Sequence, residues 1–485
     1  MIEKRINSSK DYRNSLKQFH LNLYAFGEKI ENVVDHPLCK PHVNAVAATY
    51  DLSNDPEFED LANAKSHLNG KSISRFNHIH QSREDLIKKV KMLRMLNQRT
   101  ACCIQRCAGM DSANAAYSVT YEIDRKYNTK YHERFKAFQQ EVQDKNLVVI
   151  GAMTDPKGDR SKAPHQQADP DLYLRVVEER KEGIVVRGAK AHLTGVTSAH
   201  YVIVFPTSNM RAEDKDYAVC FAMPVDAPGM TYIFGRQTND LRKMEEGDID
   251  KGNAQYAMVG GECLAIFDDV FVPWERVFMY KEFDFAGLFV ERFAAAHRQN
   301  YGACKGGISD VLVGACAALA EYNGVANASH IRDKLVEMVH LTETLYSGSI
   351  ACSSEGHCTP SGAWQTDILL ANCTKQNTTR MVYEIGRLAH DIAGGLLATL
   401  PSEQDYRHPQ LGKYIDKYLK GVSNVPTEHR IRLFRLVEAI TGGTAVVESM
   451  HGAGPPQTQR VFMLRQANLG HKIKLAKKIA GIKEE

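Results

Sequence analysis

Four side chains carry the first chemical signal in this chain: Cys103 and Cys107, then His297 and Cys304. Cys103 and Cys107 are four residues apart, which on a helix puts both thiols on one face, one turn apart. His297 and Cys304 are seven apart, two turns on one face, with Tyr301 between them and Lys305 following. Three thiolates and one imidazole make a four-ligand set for an iron–sulfur cluster. An imidazole among thiolates fits an iron that opens to substrate. The same set suits tetrahedral zinc, although structural zinc sites usually come from short knuckles on turns and both pairs here read as helical. Cys102 offers a second register for the first pair, but five residues to Cys107 fit one helical face less well. The remaining cysteines, scattered through apolar text, read as buried and inert.

Two carboxylates are candidates for acid–base work. Glu262 follows Gly260-Gly261 and precedes an apolar run; Glu448 opens the string Glu448 to Gly454, where a helix ends in Gly-rich backbone. Each reads either as a buried carboxylate with a raised pKa or as a surface charge. The run Gly151 to Arg160 holds Met153, Thr154, Lys157, Gly158, Asp159 and Arg160 after a strand-like segment. Such a loop presents N–H groups to a flavin edge or a phosphate, or is a plain surface turn. His192 and Thr194 lie in a second loop of this type, where Thr194 is placed to donate to a flavin nitrogen. Gly394-Gly395 interrupts a helical run, either to let backbone approach a ligand or another subunit, or simply to loosen the helix.

The elements that must hold these groups follow from periodicity. Up to about residue 145 the text is helical: Ser82 reads as an N-cap with Asp85 three residues on, and the next helix, 103–121, carries the thiol pair. Strands are expected over 147–150, 183–187, 201–205, 217–224, 230–234 and 264–272, separated by Gly, Pro, Asp and Asn. Short strands without intervening helices predict an antiparallel barrel or sandwich. The charged stretch 237–255 reads as a long surface excursion. Helices return over 285–301, 309–322, 330–352, 364–400 and 428–450, as in an antiparallel bundle. This α+β order gives three expected domains, 1–145, 146–282 and 283–485. It disfavours a doubly wound fold, and no G-x-G-x-x-G follows a strand.

Composition bounds the partners. A hydrophobic share of 43% provides ample core, and the formal net charge of +3 comes from interleaved acids and bases. No nucleic-acid partner is expected, no stretch reads as a membrane span, and the polar start reads as cytoplasmic, with reduced thiols.

Longer strings carry a resemblance. Arg99-Thr100 with Cys103 to Cys107, then Gly109-Met110-Asp111 and Tyr121 to Asp124, form one group. The run Gly151 to Arg160, Ala189 to His192, Phe285 to Gly287, Val290 to Phe293, His297 to Gln299, Tyr301-Gly302, Cys304-Lys305 and Glu448 to Gly454 complete it. Over nearly its whole length the chain resembles the 4-hydroxybutyryl-CoA dehydratase/vinylacetyl-CoA Δ-isomerase family. The stretch 402–428 matches less clearly.

The resemblance implies an acyl-CoA dehydrogenase-like fold, a homotetramer, and FAD with a [4Fe-4S] cluster held by Cys103, Cys107, His297 and Cys304. It implies a lyase of anaerobic metabolism that converts 4-hydroxybutyryl-CoA to crotonyl-CoA and water by a redox-neutral radical route. The flavin is then the one-electron relay, and a cluster iron is the Lewis acid for the departing hydroxyl. His297 is the preferred C2 base, Tyr301 orients or protonates, Glu448 and Glu262 are further acid–base groups, and Lys305 supplies positive charge. Flavin contacts fall to Met153, Thr154, Lys157, Gly158, Asp159, Arg160, His192 and Thr194, with Gly394 and Gly395 serving a neighbouring subunit. A dehydratase for a close 4-hydroxyacyl-CoA homologue, a flavin-dependent aromatic monooxygenase, an acyl-CoA dehydrogenase and a zinc-stapled scaffold are the competing readings; the last three need no iron–sulfur cluster.

Overall fold

The computed structural model describes residue 2 and residues 4–482. Helices dominate to Lys145, strands run from Val149–Ala152 to Val277–Tyr280, and helices return at Ala286. The first segment is not purely helical. Leu23–Ala25, paired with Glu28–Lys29, runs parallel beside Met230–Phe234 and so extends the central sheet.

The strands form two sheets. One has the order Glu28–Lys29, Leu23–Ala25, Met230–Phe234, Glu262–Pro273, Gly183–Thr194, Arg175–Glu179; the other has Val277–Tyr280, Val219–Pro224, Tyr201–Val204, Val149–Ala152. Phe221 of one meets Phe267 of the other edge-on at 6.3 Å between ring centroids, and the inner residues of both share one apolar core. The expected antiparallel arrangement is therefore corrected to a mixed one. Val149–Ala152 lies parallel to Tyr201–Val204. Parallel pairing needs a long connection, and the intervening chain supplies it by crossing through the other sheet. Tyr201–Val204 is buried at every position, as expected of a strand covered on both faces.

Ser82 caps Arg83–Thr100 as read: its Oγ accepts from the Asp85 amide at 3.2 Å. That cap is worth about 1 kcal/mol. The helix stops at Ala101, whose φ of 48° is left-handed, and the next helix begins only at Cys107. Cys103 is thus not on a helix, so the shared-face argument for the first thiol pair fails; a turn brings the two thiols together instead.

The expected helices 285–301 and 309–322 are one unbroken helix, Ala286–Tyr322. Its Gly306-Gly307 is not a break. A Cβ on Gly307 would lie 2.3 Å from the Arg94 carbonyl oxygen, so the glycine lets two helices approach closely. Reading it as two pieces hid a span, Phe283–Tyr322, long and apolar enough to cross a membrane by length and composition. With 61% of its apolar window buried in the protein, it is a core helix. Ser329–Ser354 and Ile368–Ala393 pack against it around Leu312, Leu345 and Leu388. The last expected helix divides at Gly442 into Thr427–Thr441 and Gly443–His451. The stretch 237–255 is tied down: Asp240 is fully buried, and the Glu403 carboxylate accepts from the Asp248 and Ile249 amides at 2.9 and 2.7 Å.

Candidate functional site

The long helix Ala286–Tyr322 presents His297, Tyr301, Cys304 and Lys305 along one stripe, as the spacing predicts. Across from it lie the turn carrying Cys103, the start of Cys107–Tyr127, the last turn of Gly443–His451 with Glu448, and Glu262 at the head of its strand. Two left-handed residues, Ala101 and Gln105, shape the Cys103 turn. The Cys103 amide donates to the Met258 carbonyl at 3.2 Å and the Gln105 side-chain amide to the His42 carbonyl at 3.0 Å.

Cys103, Cys107 and Cys304 are half-buried, and they lie close enough that Cys107 raises the pKa of Cys103 and Cys304 that of Cys107. Burial is the main cause: Cys103 and Cys107 are pushed well above the ordinary thiol value, and Cys304 up to about 11. Bare thiols here are neutral, and only a bound metal would hold them as thiolates. Cys102, by contrast, is fully buried in an apolar cluster with Leu96, Ile104 and Met110.

Among the described residues no three His, Cys, Asp or Glu side chains gather tightly enough to hold a single metal ion.

His297 is held from behind. Its Nδ1 lies 2.8 Å from Asp111 Oδ2, and the same oxygen accepts from Asn300 Nδ2 at 2.6 Å. Lys89 Nζ donates to Asp111 Oδ1 at 2.8 Å, and both of these side chains are wholly buried. Burial raises the Asp111 pKa, but Lys89 and His297 outweigh it, and the net shift is downward. An ionised carboxylate only accepts, so Nδ1 carries the proton and Nε2 is the nitrogen left for a metal or a proton. The imidazole stacks on Phe293 and meets the Tyr301 ring edge-on.

Tyr301 donates to Glu448 Oε1 at 2.6 Å, and Lys305 pairs with Glu448 Oε2. Lys375 sits 3.9 Å above the Tyr301 ring and donates to the Ser449 carbonyl at 2.5 Å, anchoring the turn that carries Glu448. Burial alone would raise Glu448; Lys305 and the Tyr301 hydrogen bond bring it below the ordinary value. Glu448 is thus neither of the two things its sequence context offered, a raised carboxylate or a surface charge, but a buried anion. Glu262 does rise, to about 8, chiefly by burial, while Thr194 Oγ1 donates to its Oε2 at 2.7 Å. Two carboxylates with opposite shifts define an acid and an anion in one site.

The flavin-type loop is braced from below. Lys190 Nζ meets Asp155 Oδ1 at 2.6 Å and the Met153 carbonyl at 2.9 Å, and the Ala191 amide donates to the Thr154 carbonyl at 2.7 Å. Gly158 has a φ of 51°, and the Asp159 amide donates to Gln167 Oε1 at 3.0 Å. Lys157, Asp159 and Arg160 are all exposed, and partial desolvation still lowers the Lys157 pKa. His192 is left-handed and within electrostatic reach of Lys157 and His451. The Thr194 hydroxyl is engaged by Glu262, and a neutral Glu262 carboxyl can give or take that hydrogen bond. Gly394 and Gly395 end the helix Ile368–Ala393 at an exposed corner with open space around both, and are not drawn into this cleft. Sequence reasoning assigned no role to Asp111, Lys89 or Lys375. Asp111 stood in a quoted string, but nothing local points to a histidine 186 residues away.

Comparison with known proteins defines the class. The family model for the 4-hydroxyphenylacetate 3-hydroxylase N-terminal region matches residues 8–279 and its C-terminal counterpart residues 286–481. The chain belongs to that family, and within it to the 4-hydroxybutyryl-CoA dehydratases, as two relatives show. It is 54% identical to the 4-hydroxybutyryl-CoA dehydratase/vinylacetyl-CoA-Δ-isomerase of Clostridium aminobutyricum over 98% of this chain and 99% of that one. The solved oxygen-tolerant archaeal 4-hydroxybutyryl-CoA dehydratase from N. maritimus is 51% identical with a TM-score of 0.97, covering 99% of this chain and 96% of the other. More remote structures share the fold alone. The oxygenase component of 4-hydroxyphenylacetate 3-monooxygenase complexed with FAD has 24% identity and a TM-score of 0.83, covering 98% and 99%. Butyryl-CoA dehydrogenase from Megasphaera elsdenii has 14% identity and a TM-score of 0.51, covering 91% and 99%.

Proposed function

We propose that this chain dehydrates 4-hydroxybutyryl-CoA to crotonyl-CoA and isomerises vinylacetyl-CoA to the same product. The observation that carries the reading is the convergence of three thiols and an Asp111-oriented His297 on the buried Tyr301–Glu448–Lys305 group. Neither a monooxygenase nor an acyl-CoA dehydrogenase needs those thiols. Cys103, Cys107, His297 and Cys304 would hold the four-iron cluster. The loop from Met153 to Arg160, with His192 and Thr194, would meet FAD. When bound, these groups supply a one-electron relay and a Lewis-acidic iron for the departing hydroxyl.

The chain's own residues do the proton work. Asp111 keeps Nδ1 of His297 occupied, so Nε2 is the nitrogen that would ligate the cluster and, once released from it, the one that takes the C2 proton, with Asp111 stabilising the imidazolium that results. Tyr301, already donating to an anionic Glu448, orients the hydroxyl and passes a proton. Glu262, protonated at neutral pH by its raised pKa, is the donor on the opposite wall. Lys305 keeps Glu448 ionised. The family resemblance favours assembly into a homotetramer, and the exposed Val336 and Val339 on Ser329–Ser354 support it. All eleven cysteines are free, which suits a reducing cytoplasm.

The test is anaerobic purification followed by flavin and iron analysis and a crotonyl-CoA assay. Flavin bands with a broad iron–sulfur shoulder and turnover of 4-hydroxybutyryl-CoA are expected. Full flavin loading without iron, together with hydroxylation of a phenol, would replace this reading with the monooxygenase one.

A further inference from the structure

We propose that the cleft walled by Lys40, Asn44, Lys251, Tyr256, Met258 and Ala445 receives the adenosine pyrophosphate head of the acyl-CoA substrate. This rests on the function proposed above and gives the thioester its entrance.

The cleft has a volume of about 260 Å³. Its position is the first argument. Met258 and Ala445 also line a smaller cavity that reaches Lys305 and Ser449, next to Glu448. The Met258 carbonyl accepts from the Cys103 amide, so the inner end abuts the thiol turn. A pantetheine arm lying in this path would carry its acyl group to the reacting groups.

Charge is the second argument. Three lysines and a single acid line the cleft. The acid, Asp35, is held by Lys17 at 3.4 Å, and Lys243 is held by Asp240 at 2.9 Å. Among the described residues Lys40 and Lys251 close no salt bridge, although Asp35 and Asp248 lie within their electrostatic reach, so two ammonium groups at the cleft are without a direct counter-ion. The helix Lys40–Ser53 starts there, and its first turn has no side-chain cap; its positive end adds to the field on a phosphate.

An adenosine pyrophosphate belongs to both CoA and FAD. The braced loop from Met153 to Arg160 and His192 do not line this cleft, and its inner end leads to the proton-transfer groups. Both facts favour the thioester.

The experiment compares the wild-type holoenzyme with Lys40→Glu/Lys251→Glu, using 4-hydroxybutyryl-CoA and 4-hydroxybutyryl-pantetheine. Adenosine 3′,5′-bisphosphate serves as competing probe. The ratio of kcat/KM for the CoA thioester over that for the pantetheine thioester is expected to fall by about tenfold or more, through KM, because charge-assisted phosphate contacts are lost. Inhibition by the bisphosphate should weaken in parallel, with FAD content unchanged. The milder Lys40→Gln/Lys251→Gln pair should move the same way by less and guards against misfolding. An unchanged ratio overturns the proposal, and loss of FAD from the variants assigns the cleft to the flavin and overturns it too. If wild type turns over neither thioester yet binds the bisphosphate more tightly than the variants, the dehydratase reading fails and the nucleotide cleft stands.

Discussion

Replacing Gly452 by Ala should strike the site without replacing any reacting group. Gly452 has a φ of −58°, which alanine adopts freely, so no backbone strain enters. Its added Cβ, however, would lie 1.7 Å from the Tyr301 hydroxyl oxygen and 2.8 Å from Glu448 Oε1. Restoring ordinary contact requires the hydroxyl to retreat by roughly 2 Å. That movement ends the 2.6 Å hydrogen bond to Glu448. A hydrogen bond to a charged group contributes about 1.5–3 kcal/mol, so if it is held through the transition state kcat should fall by about 10- to 100-fold. Tyr301→Phe, which deletes the same bond, should show a loss of the same order with both cofactors retained. The control is Gly314→Ala on the long helix, whose Cβ meets nothing within 4 Å and whose activity should be unaltered. The assay is anaerobic crotonyl-CoA formation at matched flavin and iron content. A Gly452→Ala enzyme that keeps wild-type kcat, beside a crippled Tyr301→Phe, would show that the Tyr301–Glu448 bond is not what catalysis uses.

Three further outcomes follow from the geometry. Cys103→Ala should strip iron, whereas Cys102→Ala should keep it and lose only about 1 kcal/mol of stability from its apolar pocket; iron analysis decides, and the opposite pattern would exchange the ligand register. Asp111→Asn leaves the fully buried Lys89 without its partner and should cost about 3–5 kcal/mol in stability. Adding Lys89→Met should recover part of that in denaturant melts but not the activity, because His297 stays unoriented; full recovery of turnover would remove Asp111 from the mechanism. His200 is buried and neutral, its Nδ1 accepting from the Val148 amide at 2.9 Å and its Nε2 lying 2.8 Å from Ser15 Oγ, with its pKa pushed down to about 3 by burial. The unfolded chain binds this proton below about pH 6.5 and the folded one does not until about pH 3, so stability falls as pH drops through that window. The loss from this one group is about 2 kcal/mol between pH 7 and pH 5, and His200→Gln should make the urea midpoint correspondingly less acid-sensitive; an unchanged acid dependence would refute the assignment.

Much of this protein was legible in its sequence because the relevant physics is short-range. The 3.6-residue period alone places His297, Tyr301, Cys304 and Lys305 on one stripe, and Ser82 with Asp85 marks a helix start from local hydrogen bonding. The strand positions over 183–272 follow from turn residues that limit short apolar runs. Other features were decided only when distant segments met. Cys103 left the helix because Ala101 and Gln105 adopt left-handed backbone in a turn anchored to Met258 and His42. Gly306-Gly307 continued a helix instead of ending it because another helix required the space. Glu262 and Glu448 look alike in sequence, yet one gains a proton and the other keeps its charge. Desolvation acts on both, and only Glu448 has an ammonium group against it. Lys89, Asp111 and His297 form a buried chain through three helices that no spacing rule connects. Periodicity sorts residues by face, whereas protonation and ligand geometry depend on what the fold brings to that face from elsewhere.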